Sequence, residues 1–442
     1  MTQVRMHPAD PPGPAGQSTA PLPLAVDPNG PIERVMSAVI RKLSWSRLAS
    51  PRVAMAVSAA GLLLGMLVGA TAPNTETLPI RLPLSFLPPL GHSEAKVVIA
   101  SVMLYTAVVL ACLGLAGMLW AHSQGWRPDP RYLLLASSAI VAVMVSLTPV
   151  GSSDTASYAA YGRIAAEGGN PYTTNPLAWL GAGSPYTHAV GDLWKQAPSV
   201  YGPFATWIQS FAASIGGPHV ATTIWVLMIL NGAVFIGVGV LLLKTSDDPV
   251  RATLFWTANP VLLLELVSGG HLDTFVAAAA ICSIQVARRV SGRWGDVLIG
   301  ILLGVAIGVK ANAVLIALGL AWPLLRRHEW LRTARIAAVT LVTVAVQYSP
   351  YGLIAFKPLF GGLQLATLPS PWRLFPLAAE GLGASQSSVG TVMGMVWPVA
   401  MIVVAWFVYR RISSDQPREV VAPFALTYAW ILVAPWVFAW YT

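Results

Sequence analysis

Runs of apolar residues separated by short polar segments dominate this chain. About 20 consecutive apolar residues form a helix that crosses the hydrocarbon core of a bilayer, where backbone polar groups must bond to one another. The pattern therefore predicts an all-α polytopic membrane protein with a bundle of about 11 transmembrane helices. The predicted spans are residues 53–71, 97–120, 132–150, 219–243, 252–268, 272–287, 297–309, 311–325, 335–352, 390–409 and 421–440.

The stretch 297–325 can be read as a single helix or as two short ones. A single helix would be longer than a bilayer requires, and it would put the basic residues around Arg289 and those around Arg332 on opposite sides. Two short helices that reverse at Lys310 keep both basic groups on one side, so we favour this hairpin.

The N-terminal part, residues 1–52, differs from the remainder. Its first 30 residues are rich in proline, and basic residues follow as far as Arg52. This composition predicts a disordered cytoplasmic tail and a basic juxtamembrane segment with a short interfacial helix, rather than a signal peptide. Residues 53–442 form the predicted transmembrane domain.

Two longer polar segments, residues 151–218 and 353–389, are predicted to lie as loops on the same, outer side. Within the first, an amphipathic run at 155–167 follows Asp154, and residues 203–215 place Phe204, Trp207 and Phe211 at helical spacing. That spacing is typical of a helix lying at the membrane interface.

Composition supports the same fold class. Hydrophobic residues make up 55% of the 442, only 10% are charged, and the mean hydropathy is +0.64, whereas soluble domains are roughly a quarter charged. The two cysteines, Cys112 and Cys282, lie in apolar runs, which is typical of small buried side chains rather than a redox pair.

The net charge of +9 would favour a nucleic-acid partner in a soluble protein. Here, with eleven spans, 20 of the 27 Lys and Arg residues fall on the predicted inner side. This positive-inside pattern predicts a multi-pass protein of the plasma membrane, with no nucleic-acid partner, its N-terminus inside and both polar loops outside.

Asp154 is the leading candidate for chemistry, because it follows a predicted span at the outer interface. It can be a catalytic carboxylate, or Ser153 and Asp154 can cap the helix that follows. If Ser153 caps the helix, Asp154 remains available in the first turn, so the two interpretations are compatible. We favour the catalytic one.

A second candidate lies between two predicted spans, at Gly269-Gly270-His271-Leu272-Asp273. His271 and Asp273 are two metal ligands without a third, so no metal is predicted. A tight turn in which Asp273 caps the next helix, with His271 contacting substrate, is favoured. Glu265 precedes His271 by six residues, or about 9 Å of helix, and can face the same cavity.

Cationic and aromatic residues supply the other candidates. Lys310, at the apex of the predicted hairpin, either extends towards the headgroups or binds a lipid-linked phosphate. Arg163, Lys357 and the pair Trp372-Arg373 add cations and an aromatic ring on the outer side. Aromatic rings there can bind sugars or can belong to an ordinary interfacial belt.

Several of these motifs, taken together, resemble one family. They are Asp154-x-x-x-Tyr158-x-x-Tyr161-Gly162, Gly169-Asn170-Pro171-Tyr172, Tyr201-Gly202-Pro203, Asn259-Pro260-x-Leu262-x-x-Glu265, Gly270-His271-x-Asp273 and Gly308-Val309-Lys310. Over roughly residues 130–442 the chain is similar to the actinobacterial polyprenol-phosphate-mannose-dependent α-(1→6)-mannosyltransferases, which belong to the GT-C glycosyltransferase superfamily.

The resemblance implies a GT-C-like bundle that transfers mannose from a polyprenyl-phosphate-mannose donor to a lipoglycan α-1,6-mannan acceptor at the outer face. It implies that Asp154 is the base, and that no cofactor is needed. Two departures stand out: the hairpin 53–120 moves the acid from the first outer loop to the second, and the chain ends at Thr442 where relatives continue through further spans.

The same chemistry is reasonable without the family. A polyprenyl phosphosugar is already activated, so an inverting transfer needs one base for the acceptor hydroxyl and cations for the departing phosphate. Asp154 can supply the first, and Lys310, Arg373 or Arg163 the second. Two other classes remain as alternatives: a transporter or flippase of a lipid-linked substrate, and a non-catalytic assembly protein of the cell envelope.

Overall fold

A computed structural model describes residues 50–71, 78, 80–87, 94–358, 370, 372, 386–412 and 415–435. Over these residues the regular structure is helical, apart from an isolated bridge between Thr71 and Leu87. The helices of eight residues or more are α1 Pro51–Ala70, α2 Glu94–Ser123, α3 Pro130–Met144, α4 Asp154–Ala166, α5 Pro203–Gly216, α6 Val220–Thr245, α7 Asp273–Arg289, α8 Arg293–Val309, α9 Val314–Arg326, α10 Trp330–Tyr348, α11 Gln386–Arg411 and α12 Arg418–Val433.

Within the described ranges, five segments are long and apolar enough to cross a membrane. They are Pro51–Ala70, Val98–Ser123, Val220–Thr245, Pro249–Ser268 and Val392–Arg411. Two further apolar helices, Pro130–Met144 and Ala311–Arg326, are shorter. The protein is therefore an all-α polytopic membrane protein, and the total of eleven spans stays a prediction.

The predicted span 132–150 is wrong at its C-terminal end, because α3 stops at Met144. Proline lacks an amide proton and disfavours helical geometry in the residue before it, so Pro149 is incompatible with a helix that continues to residue 150. Thr148 instead hydrogen-bonds through its backbone N–H to Oγ of Ser85 at 2.7 Å. The result is an extended approach to Asp154.

The predicted span 252–268 is broken rather than continuous. A first helix covers Pro249–Phe255, and a second segment begins at Pro260–Leu262 and continues as a π-helix over Leu263–Ser268. Asn259 starts the second segment, since its Oδ1 accepts from the N–H groups of Val261 and Leu262 at 3.0 and 3.3 Å. Pro260, which has no N–H to offer, accounts for the interruption.

The predicted reversal at Lys310 is confirmed. Helix α8 ends at Val309, Lys310 is extended, and a 3₁₀ turn at Ala311–Ala313 leads into α9. Asp296, at the start of α8, forms ion pairs of 2.8 Å with Arg332 and with Arg335 near the start of α10. The beginnings of α8 and α10 therefore lie at the same end of the bundle, as the hairpin requires.

The two amphipathic runs of the first polar segment form helices as predicted, α4 and α5, and these pack against each other. Gly162 makes this contact possible, because a Cβ at that position would lie 2.2 Å from the carbonyl oxygen of Gln209. Tyr158 and Tyr161 are fully buried, and Tyr161 donates its hydroxyl to the carbonyl of Ala197 at 3.0 Å. The packing fixes the helix that begins at Asp154.

Several predictions fall outside the described residues. They include the proline-rich tail and most of the basic juxtamembrane segment (residues 1–49), most of the second polar loop, and the end of the last predicted span (436–440). The division into a tail of residues 1–52 and a domain of residues 53–442 stays a prediction.

Candidate functional site

Asp154 is the first residue of α4, and its carboxylate points into the protein rather than towards lipid. Oδ2 accepts the hydroxyl of Tyr158 at 3.3 Å and lies 3.5 Å from Nδ1 of His271. The side chain keeps 18% of its surface exposed, compared with 2% for His271. The carboxylate is therefore anchored on one side and accessible on the other.

Burial alone would raise the pKa of Asp154, but its neighbours outweigh that effect. The contact with His271 and the positive charge of Lys310 together hold the pKa of this carboxyl below its ordinary value of 3.8. Burial also raises the pKa of Tyr158 well above its ordinary value, so this hydroxyl stays protonated and donates to Asp154. At neutral pH Asp154 is an ionised carboxylate.

The capping interpretation of this helix is only partly right. Ser153 occupies the position before the helix, but its side chain makes no capping hydrogen bond. Ser152 instead accepts the backbone N–H of Asp154 through Oγ at 3.1 Å. Asp154 is in the first helical turn, where the helix dipole favours a negative charge.

His271 is held in place by Asn231, a residue that the sequence patterns did not single out. Nδ2 of Asn231 donates to the backbone carbonyl of His271 at 2.6 Å, and its Oδ1 accepts from Thr274 at 3.3 Å. Asn231 is fully buried in α6. A polar residue inside an apolar run was the available signal, because buried amides in spans need partners.

Lys310 forms an ion pair with Asp273. Its Nζ donates to Oδ1 and Oδ2 of that carboxylate at 2.8 and 3.0 Å, and both side chains are about five-sixths buried. The expectation that Asp273 caps α7 is wrong, because Leu272 occupies the cap position and Asp273 is the first helical residue. The carboxylate neutralises the lysine instead.

A close backbone contact joins the loop that contains Tyr201 and Gly202, which we call the Tyr201 loop, to the residues just before Lys310. The N–H of Gly202 donates to the carbonyl of Val309 at 3.0 Å, and a Cβ on Gly202 would lie 2.3 Å from the carbonyl oxygen of Gly308. Tyr201 then meets Tyr158 edge to face, with ring centroids 4.9 Å apart. These contacts bring Tyr201 next to the residues around Asp154.

Glu265 lies in the π-helix rather than in an ordinary helix, and it is close enough to His271 for their charges to interact. Gly270 completes this turn in the left-handed region at φ +68°. A Cβ there would lie 2.5 Å from both Thr155 and Met228, which explains why glycine suits the turn. The structure thus brings together Asp154, Tyr158, Tyr201, Glu265, His271, Asp273 and Lys310.

Three residues of the first polar segment lie elsewhere. Arg163 forms an ion pair with Glu167, with Nε 2.7 Å from Oε1, at the opposite end of α4 from Asp154. Tyr172 is buried and shares a hydrogen bond of 2.8 Å with Thr206, while Asn170 accepts the N–H of Tyr172. In this structure Asn170 and Tyr172 support the loop rather than line the Asp154 cluster.

Trp372 is described but has no contact with Asp154 among those observed. Its Nε1 donates to the carbonyl of Val433, at the end of α12. Lys357 is exposed, and Arg373 lies outside the described residues. Within the described part of the chain, no three His, Cys, Asp or Glu side chains come together as ligands of a metal ion.

The cluster combines groups that a glycosyl transfer can use. The ionised carboxylate of Asp154 is accessible and held by its neighbours, and the ammonium of Lys310 is paired with Asp273 nearby. The buried Tyr158 contributes a hydroxyl, and the ring of Tyr201 packs against it. The donor of such a reaction can carry its own activated leaving group, so this arrangement is sufficient in principle for acid–base and electrostatic assistance.

Comparison with known proteins agrees with this chemistry. The chain is 26% identical over 302 residues to a probable alpha-(1->6)-mannopyranosyltransferase of Mycolicibacterium smegmatis, covering 65% of this chain and 49% of that relative. It is 27% identical over 315 residues to alpha-(1->6)-mannopyranosyltransferase A of Mycobacterium tuberculosis, covering 70% and 55%. The chain therefore spans about half the length of these curated relatives.

A third relative is matched more fully. Alpha-(1->6)-mannopyranosyltransferase B of Corynebacterium glutamicum is 23% identical over 444 residues, covering 91% of this chain and 72% of the relative. No solved structure is significantly similar. The family described as alpha-(1->6)-mannopyranosyltransferase, N-terminal domain, matches residues 52–326. Since that match covers more than half of the sequence and contains the Asp154 cluster, the chain belongs to the alpha-(1->6)-mannopyranosyltransferase family.

Proposed function

We propose that this protein is a membrane glycosyltransferase that moves mannose from polyprenyl-phosphate-mannose to an α-1,6-mannan of lipoglycan type. The observation that carries the proposal is the anchored, accessible carboxylate of Asp154, in contact with His271 and in the field of Lys310. The reaction takes place at the outer face of the plasma membrane, as the distribution of basic residues predicts.

In the proposed step, the acceptor hydroxyl attacks the anomeric carbon of the donor mannose. The bond from that carbon to the phosphate oxygen breaks, and its electron pair leaves with the polyprenyl phosphate. Asp154 takes the hydroxyl proton. Because a single displacement inverts the anomeric centre, an α-linked product requires a β-linked donor.

The low pKa of Asp154 is compatible with its role as base. A positively charged, oxocarbenium-like centre develops before the new bond is complete, and the attacking hydroxyl becomes strongly acidic as that bond forms. A weak base that is fully ionised and correctly placed can then accept the proton late in the step. His271 and Tyr158 act as positioning residues for the carboxylate.

Charge on the departing phosphate is stabilised by Lys310. An ammonium carries three N–H donors, and Asp273 holds the side chain near Asp154. Pairing with Asp273 also makes it possible to bury the lysine before the donor arrives, since an unpaired ammonium at membrane depth is costly.

The test uses membranes that contain the protein, labelled polyprenyl-phosphate-mannose and a short α-1,6-mannoside. Replacing the base, Asp154→Asn, is expected to lower transfer by about 10²–10⁴-fold. Asp192→Asn is the matched control, because Asp192 lies in the same polar segment, is almost fully exposed and pairs only with Lys195 among the contacts observed.

Two results would contradict the proposal. Equal transfer by wild type and Asp154→Asn would remove Asp154 as base. Absence of transfer by the wild type, with the protein folded in the membrane, would favour a transporter or an assembly protein instead. Digestion of the product with a linkage-specific α-mannosidase identifies the new bond.

A further inference from the structure

A second polar cluster lies at the C-terminal end of α4, away from Asp154. Glu167 forms an ion pair with Arg163, with Oε1 2.7 Å from Nε, and its Oε2 accepts from Nε1 of Trp179 at 3.0 Å. We call Arg163, Glu167 and Trp179 the Trp179 platform. None of these contacts involves the residues around Asp154.

Local structure positions the ring of Trp179. Trp179 sits on the short helix Pro176–Leu180, which Asn175 caps by accepting the N–H of Ala178 at 2.9 Å. Gly169 leaves room for the ring, because a Cβ there would lie 2.9 Å from the indole. The carboxylate of Glu167 then fixes the ring's orientation.

The ring is nevertheless accessible. Trp179 is 45% exposed, and the neighbouring Glu167 and Gly168 are exposed as well. Trp207 and Phe211 on α5 differ, since they are exposed along the apolar face of an amphipathic helix. An exposed indole beside a carboxylate and a guanidinium suits a sugar, whose C–H face packs on the ring while its hydroxyls bond to charged groups.

From these contacts we infer that the Trp179 platform binds the acceptor glycan. It would contact the mannose residues that precede the terminal one, to which the new mannose is added. The inference rests on the proposed function. Arg163 follows Asp154 by nine residues of α4, so the platform lies roughly 14 Å along the helix from the base. That distance exceeds one hexose ring, so a single mannose at Asp154 cannot also reach Trp179. A longer α-1,6-mannoside can.

The inference assigns a length preference to the acceptor. An oligomannoside bound at Asp154 makes a second contact at the platform, whereas a monosaccharide bound at Asp154 does not reach the platform. Trp179 is then a specificity-determining residue for the acceptor.

The experiment measures binding rather than transfer. The protein is purified in lipid nanodiscs without donor, and affinities for α-1,6-linked mannotetraose and methyl α-mannoside are measured by saturation-transfer NMR and calorimetry. Trp179→Ala is expected to weaken mannotetraose binding roughly threefold to tenfold, with methyl α-mannoside unchanged. Trp179→Phe retains an aromatic face and should lie between wild type and Trp179→Ala.

Trp294→Ala is the matched control. Trp294 is also exposed, but it lies at the start of α8, whose other end leads to Lys310. Mannotetraose binding should be unchanged in this variant. Thermal unfolding of each variant in nanodiscs shows whether the fold is preserved, and Trp179→Phe covers the case in which Trp179→Ala does not fold.

Three outcomes would overturn the inference. They are unchanged mannotetraose binding in folded Trp179→Ala, an equal loss in Trp294→Ala, and no mannotetraose binding by the wild type. Loss of membrane retention in Trp179→Ala with binding unchanged would identify the ring as an interfacial anchor instead. Failure of the proposed function is distinguishable, because mannotetraose binding that depends on Trp179, without mannose transfer by the wild type, rejects the reaction but keeps the glycan site.

Discussion

Lys310 and Asp273 form an ion pair across 37 residues of sequence, with Nζ 2.8 and 3.0 Å from the two carboxylate oxygens. The pair joins the reversal after α8 to the start of α7. Lys310 therefore does not extend to the headgroups in this structure, because the carboxylate of Asp273 compensates its charge within the protein. The arrangement predicts that substitutions at this pair change the stability of the protein and the rate of mannose transfer independently.

Breaking the pair from either side should destabilise the protein. Lys310→Met removes the cation that pairs with the buried carboxylate of Asp273, and Asp273→Asn removes the carboxylate that pairs with Lys310, each at a cost of roughly 3 kcal/mol in the free energy of unfolding. The double variant removes both charges and should recover much of that stability while transfer remains lost. Thermal unfolding and labelled-mannose transfer, measured on the same preparations, test this. Wild-type transfer by the double variant would exclude Lys310 as a phosphate ligand.

The contact between His271 and Asp154 predicts a change in pH dependence. The pKa of Asp154 is held below its ordinary value although burial raises it. The ionised carboxylate therefore stabilises the fold at pH values above the ordinary pKa of an aspartate. The contribution is lost as pH falls through the folded pKa. His271→Gln removes the principal lowering influence and leaves burial, so the pKa of Asp154 should rise.

The measurement is the pH profile of kcat/KM for mannose transfer. In His271→Gln, the acidic limb should move to higher pH relative to the wild type, because the base becomes protonated earlier. Asn231→Ser shortens the side chain that bonds to the carbonyl of His271 and should move the limb in the same direction by less. An acidic limb that stays in place in both variants would contradict the assigned role of His271.

Close approach at Gly202 predicts a steric effect on the site. A methyl group there would meet the carbonyl of Gly308, so Gly202→Ala must displace the Tyr201 loop from Val309 and Lys310. We expect a loss of roughly 2 kcal/mol in stability and reduced transfer. Gly183→Ala is the control in the same polar segment, since a Cβ on Gly183 meets nothing within 4 Å. Equal behaviour of the two variants would show that the contact is unimportant.

The sequence was informative where a local signal decided the structure. Helices α4 and α5 followed from amphipathic spacing, and the reversal at Lys310 followed from the positions of basic residues on either side of it. The broken span was not predicted, although Asn259-Pro260 contained the signal: a cap residue before a proline. Apolar content alone cannot distinguish a continuous helix from two short ones.

Pairings between distant residues were beyond this reasoning. Nothing in the sequence determines that Lys310 pairs with Asp273, or that Asn231 in α6 supports His271, because these contacts depend on how the helices pack. Arg163 is the contrasting case: its partner four residues away, Glu167, was available in the sequence, and the structure shows this ion pair. An i,i+4 pair on a helix is the simpler expectation.

The buried carboxylate of Asp296 predicts a purely structural effect at the other end of α8. It is 2% exposed and accepts from both Arg332 and Arg335 at 2.8 Å. Asp296→Asn removes the negative charge shared by these two arginines and leaves Arg332 with Glu329, so the free energy of unfolding should fall by roughly 2 kcal/mol. Asp247→Asn, at an almost fully exposed acid paired with Arg288, should change stability by less than about 1 kcal/mol.

Transfer per folded molecule should be unaffected by Asp296→Asn. Asp296 precedes Lys310 by 14 residues, so it lies roughly 21 Å along α8 from the cluster around Asp154. The fraction folded in detergent, followed by thermal unfolding, and the rate of mannose transfer at low temperature give the two quantities separately. A large loss of specific transfer in fully folded Asp296→Asn would mean that the two ends of α8 are coupled, since displacement of this helix would then change the geometry at Lys310.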